Sequence, residues 1–529
     1  MTTNPESDGH DTVIIDRSTY RDKLRGFWLG SSIANWTGLP TENVKFAPPF
    51  FTDDDWGTRI GRDGEVVNIV LDNRPWGADD DTDIEYVYQS ALERHNTFLL
   101  TPEQIAAAWT EHVGLPSVWV SNLAALGQMQ QGVVPPATSL PENNPMWEMI
   151  DAQLTTEIFG ALAPVRPDVA LKIAHLPIRT TAYQHSEWAA EFYVIMYSLV
   201  SAVDASKPRA EQLQWMAAEA RKRLPAGTYI ADMYDFVWRE YQRNPAPKHW
   251  AVTRDKIYQR YQLNTAARYR YKYPWDSGIN FAASLVSLFY GEGDFRNTIR
   301  IGTLAGWDSD NPTATWGGLL GLMMGHSELE DYFDKHDFSD EYEISRTRFG
   351  FPATPDTFSA MAERALPIID QVVVDAMGGR IANDQWLIPV IEPRVQQTSA
   401  IPVDVRWETI EDADPRWDYS GFITRDRQWN ASGATLTTGL AGCRATITFS
   451  GTAVQYYAFR GNTSGQVSII LDGRHQGTFS LSTQVDHRGQ FYAKIFERFD
   501  LLPGEHTLGI LCDDTEAPKS IDMLSVIPN

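Results

Sequence analysis

Cysteine is nearly absent: the 529 residues hold two, Cys443 and Cys512. Two thiols exclude a disulfide scaffold and any zinc or iron–sulfur site built on cysteine, and whether they pair with each other stays open at this point. Positive charge is scarce as well, with 45 Lys and Arg against 69 Asp and Glu and a formal net charge of −24. Phosphate neutralisation needs a positive surface, so a general nucleic-acid or anionic-membrane binder is excluded. One short basic and aromatic run, Arg268 to Tyr273, reads as a loop or a solvated helix face in preference to a platform for bases. Long apolar runs are missing too. The longest, such as Gly317 to Gly325, fall well short of the roughly 18 residues of a membrane span, so no membrane partner is expected. Met1 to Asp8 lacks the basic and apolar regions of a secretory signal and reads as the disordered start of a cytoplasmic protein. No nucleophile elbow, P-loop or Rossmann glycine fingerprint falls where those chemistries need it.

What is present is enough for a sizeable core, since 43% of the residues are hydrophobic. Apolar residues recur at three and four positions from Thr19 to Gly379, as in Ile84–Leu92, Glu191–Val203, Ile279–Tyr290, Phe295–Leu304 and Trp316–Met324. That period predicts an all-α domain over residues 19–385, after a disordered segment 1–18. Pro389, Pro393 and Pro402 then break the pattern, which suits an extended linker over 386–403. Short alternating runs follow, Ala445–Phe449, Val454–Phe459 and Val467–Leu471, with turns at Asp472-Gly473 and Pro503-Gly504. They predict an all-β sandwich over 404–529.

Two acidic clusters stand at helix starts. Asp79-Asp80-Asp81-Thr82-Asp83 precedes the helical pattern at Ile84, and Trp307-Asp308-Ser309-Asp310-Asn311-Pro312 precedes the glycine-rich helix carrying Gly317, Gly318 and Gly321. Carboxylates this dense repel one another, and a helix N-terminus offsets only about half a charge. A hard divalent cation offsets more and prefers oxygen donors. Taken singly, each cluster is a capping run as readily as a metal loop; taken together, on helices that glycine lets approach, they make a metal site of about four carboxylates. Glu42 follows a Gly-Pro turn and suits a loop beside a cleft, while Gly26 and Gly30 suit close helix packing. His185 and Asn280, near helix N-termini, are candidates to line the cleft or to serve as ordinary structural polar groups.

Gly26, Gly30 and Glu42, then Asp79-Asp80-Asp81-Thr82, then Gly306-Trp307-Asp308-Ser309-Asp310-Asn311 before the Gly317-Gly318 helix, occur in the order of the motifs of the ADP-ribosylglycohydrolase family, which the first 380 residues resemble. The resemblance implies an all-α fold with two Mg²⁺ ions held by Asp79, Asp80, Asp81, Asp308, Asp310 and Asn311. It implies hydrolysis of a ribosyl N- or O-glycosidic bond by a metal-bound water at the anomeric carbon, with Glu42, Asp81 and Asp308 as catalytic groups and Glu42 on a flap over the metals. Trp307, an aromatic face for stacking on a sugar or base or equally a buried core residue, is a candidate at the substrate with His185 and Asn280, the substrate being a small glycoside or an ADP-ribosylated molecule. Asp79, Trp307 and Asn311 depart from the family's Thr, Gly and Thr, and Ser31–Thr37 lacks its Gly-Asp-Ala. These departures leave two alternatives: the same fold acting on a small sugar conjugate, nucleoside-like or furanosyl glycoside, or a non-catalytic sugar- or metal-binding protein. The C-terminal sandwich resembles modules appended to glycan-active enzymes, and oligomeric state is not legible.

Overall fold

The computed structural model describes residues 12–77, 79–114, 118–344, 349–352, 354–398, 407–428, 430–483 and 489–529. The chain forms two units, Met1–Val113 with Glu148–Pro402, and Gly114–Trp147 with Val403–Asn529. Among the described residues, no helix is long and apolar enough to cross a membrane.

The first unit is built on helices, as its 3.6-residue period requires. Those that position the site are α1 (Arg17–Gly38), α2 (Asp80–His95), α3 (His185–Leu199), α4 (Ser277–Gly291), α5 (Phe295–Ala305) and α6 (Asp310–Met324). At its centre α1 lies against α6 through glycine on both sides. A Cβ at Gly30 would strike the backbone of Gly317 and one at Gly26 that of Gly321, and the reverse holds at Gly317 and Gly321. The helices therefore touch backbone to backbone, and Phe27, Trp28, Leu29 and Ile33 of α1 are buried around that seam.

Two expectations at the edges of this unit are corrected. The disordered start was to run to residue 18, but Thr12–Asp16 form strand β1, and Asp16 caps α1 by accepting the Thr19 N–H at 2.8 Å. Residues 1–11 lie outside the described set. The linker was to begin at 386, but Gln385–Pro389 form strand β3, which pairs antiparallel with β1, from Thr12 opposite Pro389 to Asp16 opposite Gln385, and with β2 (Arg380–Ala382). Val13, Ile14 and Ile15 are β-branched and suit a strand once a partner exists. That partner lies far along the chain, and Arg17 reinforces the pairing through Asp370 and Asp384.

The second unit is antiparallel. Its strands are β4 (Glu408–Glu411), β5 (Trp417–Arg427), β6 (Thr435–Gly451), β7 (Ala453–Arg460), β8 (Gln466–Leu471), β9 (Arg474–Ser480), β10 (Gln490–Arg498), β11 (Gly504–Cys512), β12 (Lys519–Ile521) and β13 (Met523–Ile527). One sheet runs β10-β7-β13-β4 and the other β9-β8-β11-β6-β12, with β5 also on β6. Alternate residues such as Ile447, Phe449, Val467, Ile469, Leu508 and Ile510 form one core, as a two-residue period dictates. Antiparallel pairing of β6 with β11 brings Cys443 beside Cys512, and the two form a disulfide. The helical domain was expected to be continuous from 19 to 385, yet Gly114–Trp147 belongs to this unit. There Gln490 Nε2 donates to the Gly127 carbonyl at 2.9 Å, in helix Val120–Met129, and Lys494 Nζ to that of Glu142 at 3.0 Å. A helical period shows that a segment buries one face but not which core receives it.

Candidate active site

The C-terminus of α1 and the N-termini of α2 and α6 converge. Gly38, the last residue of α1, has no room for a Cβ, which would lie 2.5 Å from Asp310 Cα. Thr41 locks this approach by donating to the Thr303 carbonyl at 2.7 Å and sharing a 2.8 Å hydrogen bond with Ser309 Oγ. The segment after Glu42 and the loop before Asp308 are joined by two backbone bonds, Asn43 N–H to Trp307 O at 2.8 Å and Trp307 N–H to Lys45 O at 2.7 Å. Glu42 is thereby fixed beside the second acidic cluster.

Asp79 caps α2, its Oδ1 accepting the Asp80 N–H at 2.7 Å. It is also the residue at which the clusters meet. Carboxylate oxygens of Glu42, Asp79 and Asp310 lie within 4.8 Å of one another, and so do those of Asp79, Asp80 and Asp81. Asp81 is held from α1 by Asn35 Nδ2, which donates to its Oδ2 at 2.9 Å, while Asp81 Oδ1 and Asp310 Oδ1 are buried with no hydrogen-bond partner. Asn311, on the first turn of α6, is buried with Nδ2 unpartnered. Orphaned buried oxygens in a set of hard donors fit a hard divalent cation.

The electrostatics agree. Burial first, then facing carboxylates, pushes Asp81, Asp308 and Asp310 well above the ordinary aspartate value. The carboxylates acting on Asp308 are Glu42, Asp79 and Asp151, so Asp308 shares the field of the other group. Behind the site Glu157, buried near Glu85 and accepting from Thr315 Oγ1 at 2.7 Å, is pushed by burial up to about 8. Raised folded pKa values stabilise below the ordinary carboxylate range, and that stability is lost as pH rises through the folded values. A cation that binds the ionised cluster reverses the loss at Asp81, Asp308 and Asp310 and leaves that at Glu157. The rise in Tm on adding Mg²⁺ to chelator-treated protein is accordingly expected to grow as pH rises above the ordinary carboxylate range, as read by calorimetry. A pH-independent increment would contradict this cluster as the site of binding.

The structure thus brings together Glu42, Asp79, Asp80, Asp81, Asp308 and Asp310. It places the three expected substrate residues differently. Trp307 is fully buried, its ring 5.2 Å from that of Phe50 and its Nε1 donating to Gln262 Oε1 at 2.8 Å. Its faces are packed, which corrects the expectation that it stacks on a sugar. Asn280 is likewise buried and structural. Its amide donates to the carbonyls of Pro274 at 2.7 Å and Asp276 at 3.0 Å, and its Oδ1 accepts the Asp308 N–H at 3.2 Å, so it aims the Asp308 loop. His185 opens α3, stacks on Tyr229 at 3.7 Å and is pushed by burial down to about 4, which keeps it neutral. Arg268–Tyr273 is partly absorbed internally, with Tyr269 buried on Asp276 and Lys272 paired with Glu148. Sequence reasoning missed Asn35 and Arg62, whose Nη2 donates to Glu42 Oε2 at 2.8 Å. Asn35 lies seven residues before Glu42, and its position in the stretch that departs from Gly-Asp-Ala was the available signal.

A helical unit that gathers carboxylates from the starts of two helices and the segment following a third, in a chain that also carries a β-sandwich, defines a mainly helical fold centred on an acidic site. The family model described as ADP-ribosylglycohydrolase matches residues 16–343, more than half of the chain. The chain belongs to the ADP-ribosylglycohydrolase family. It is 26% identical over 133 residues to the A type blood α-D-galactosamine galactosaminidase of Flavonifractor plautii, a match spanning 25% of this chain and 12% of that enzyme. Among solved structures, an ADP-ribosylglycohydrolase-related protein complex is 14% identical and covers 66% of this chain and 98% of its own, with a TM-score of 0.39. The CBM35 from Cellvibrio japonicus Abf62 is 16% identical and covers 22% of this chain and 91% of its own, with a TM-score of 0.20.

Proposed function

We propose that this protein is a Mg²⁺-dependent glycosyl hydrolase that cleaves a ribosyl-type N- or O-glycosidic bond. The observation that carries the reading is the pair of carboxylate groups sharing Asp79, with buried, unpartnered oxygens on Asp81 and Asp310. Asp79, Asp80, Asp81, Asp308, Asp310 and Asn311 would hold the metal, and two groups sharing a residue suit two ions. When bound, such a cation lowers the pKa of a water and orients sugar hydroxyls. The remaining work falls to the chain. Asn35 and Asn280 hold Asp81 and the Asp308 backbone in register, so these carboxylates meet the sugar preorganised. Glu42, less buried than either, takes the proton from the attacking water as that oxygen bonds the anomeric carbon and the leaving group departs with its electron pair.

A second reading, hydrolysis of a small sugar conjugate, is favoured by the partial match to a galactosaminidase and by Asn35 standing in the stretch that departs from the family. ADP-ribosyl peptides and chromogenic furanosides and pyranosides, including α-galactosaminides, assayed with and without Mg²⁺, separate the two. Mg²⁺-dependent release from ADP-ribosyl peptides alone supports the ribosyl reading, and release from the glycosides alone supports the second. Binding of a sugar without product under any divalent metal would favour a non-catalytic protein. The Cys443–Cys512 disulfide favours an oxidising compartment over the cytoplasm expected from sequence.

A further inference from the structure

We propose that Arg62 is a latch: its guanidinium is the resident counter-cation of the acidic site and holds Glu42 in place until a divalent cation displaces it. This rests on the metal reading of the site and adds a positioning residue to it. Arg62 Nη2 donates to Glu42 Oε2 at 2.8 Å and to the Glu42 carbonyl at 3.1 Å. Its charge is also attracted by Asp310 and Asp79. Those three carboxylates, Glu42, Asp79 and Asp310, are the ones whose oxygens lie within 4.8 Å of one another. Asn43 Nδ2 takes the other Glu42 oxygen at 2.9 Å, so both are engaged, and a cation arriving at Asp79 and Asp310 must compete with the Arg62 charge beside them.

Arg62 stands at an exposed loop tip, from which its long side chain has room to swing. Arg62–Gly64 form a short turn at the tip of a loop whose arms pair through the Arg59–Val66 bridge and backbone bonds such as Val67 N–H to Thr58 O at 3.0 Å and Gly61 N–H to Glu65 O at 3.0 Å. Asp63 at φ 61° and Gly64 at φ 76° reverse the chain there, and nothing lies within 4 Å of where a Gly64 Cβ would stand. The Arg62 side chain is 50% exposed and its partner Glu42 is 21% exposed. A guanidinium stays protonated at any working pH, so it leaves the site only by swinging out. The pair therefore links two events: metal arrival frees the Arg62 side chain, and the freed side chain releases Glu42 to act on substrate.

The test is Mg²⁺ titration of chelator-treated, full-length protein by calorimetry, comparing wild type, Arg62→Ala and Arg62→Lys, with Tm confirming that each is folded. Removal of a competing charge of this exposure is expected to tighten Mg²⁺ binding about three- to tenfold in Arg62→Ala, with Arg62→Lys close to wild type. A merely structural role would weaken binding when the side chain is cut, so unchanged or weaker binding in Arg62→Ala overturns the latch while the metal reading stands. Failure of wild type and Arg62→Ala alike to take up Mg²⁺ overturns the metal reading and the latch with it.

Discussion

Asp310→Ala is expected to abolish Mg²⁺ uptake and to lower turnover by about a thousandfold or more, the loss of several kcal/mol of metal-borne stabilisation. The metal-free variant is expected at the same time to melt higher than metal-free wild type, by about 1 kcal/mol. The two effects have one cause. Asp310 is buried at the start of α6 among Glu42, Asp79, Asp81 and Asp308, its Oδ1 lacks a partner, and each of those neighbours disfavours its charge. A carboxylate kept for packing would give the opposite pattern, since its removal would destabilise the protein and spare catalysis. Asp308→Ala is expected to behave likewise, because burial and the same field act on it. Turnover retained at the wild-type level in either variant, measured on the substrate found in the glycoside screen, would sink the mechanism.

The acidic runs were legible because charge density and helix starts are local. Asp79 shows why neither local reading needed to displace the other: it caps α2 and, through the same carboxylate, belongs to both oxygen groups. The start of α6 was legible in the same way, from Asp310 and Pro312 in its first turn. Alternation in Ala445–Phe449 and Val467–Leu471 gave strands that the structure places at the sandwich core. Illegible features depended on partners distant in sequence. Ile15 pairs with Trp386, and helix Val120–Met129 joins a strand beginning at Gln490. Trp307 is the clearest case within the site. An indole in an acidic loop looks like a sugar platform, but its φ of 57° and its packing on Phe50 turn it inward, where it supports the loop. Arg62 carries no motif, and only the fold of its loop brings it to Glu42.

Gly30→Ala is expected to cost about 2–4 kcal/mol, large for one methyl group, and to lower Mg²⁺ affinity as well as Tm. The added Cβ would meet the Gly317 carbonyl and lie 3.1 Å from Gly321 Cα, and both obstacles are helix backbone that no rotamer change can clear. Relief requires α1 and α6 to separate. Their separation would move the two ends that hold the site, because Gly38 lies against Asp310 and Asn35 holds Asp81. Stability and metal binding should then fall together. Gly57→Ala is the matched control: its φ of 79° strains an alanine, but nothing lies within 4 Å of the new Cβ. It is expected to cost about 1 kcal/mol and to leave Mg²⁺ affinity unchanged. Equal losses in the two variants, by thermal unfolding and by titration, would show that the glycine seam does not set the spacing of the carboxylates. A loss of metal affinity confined to Gly30→Ala would tie the spacing of the carboxylates to the backbone contact between α1 and α6.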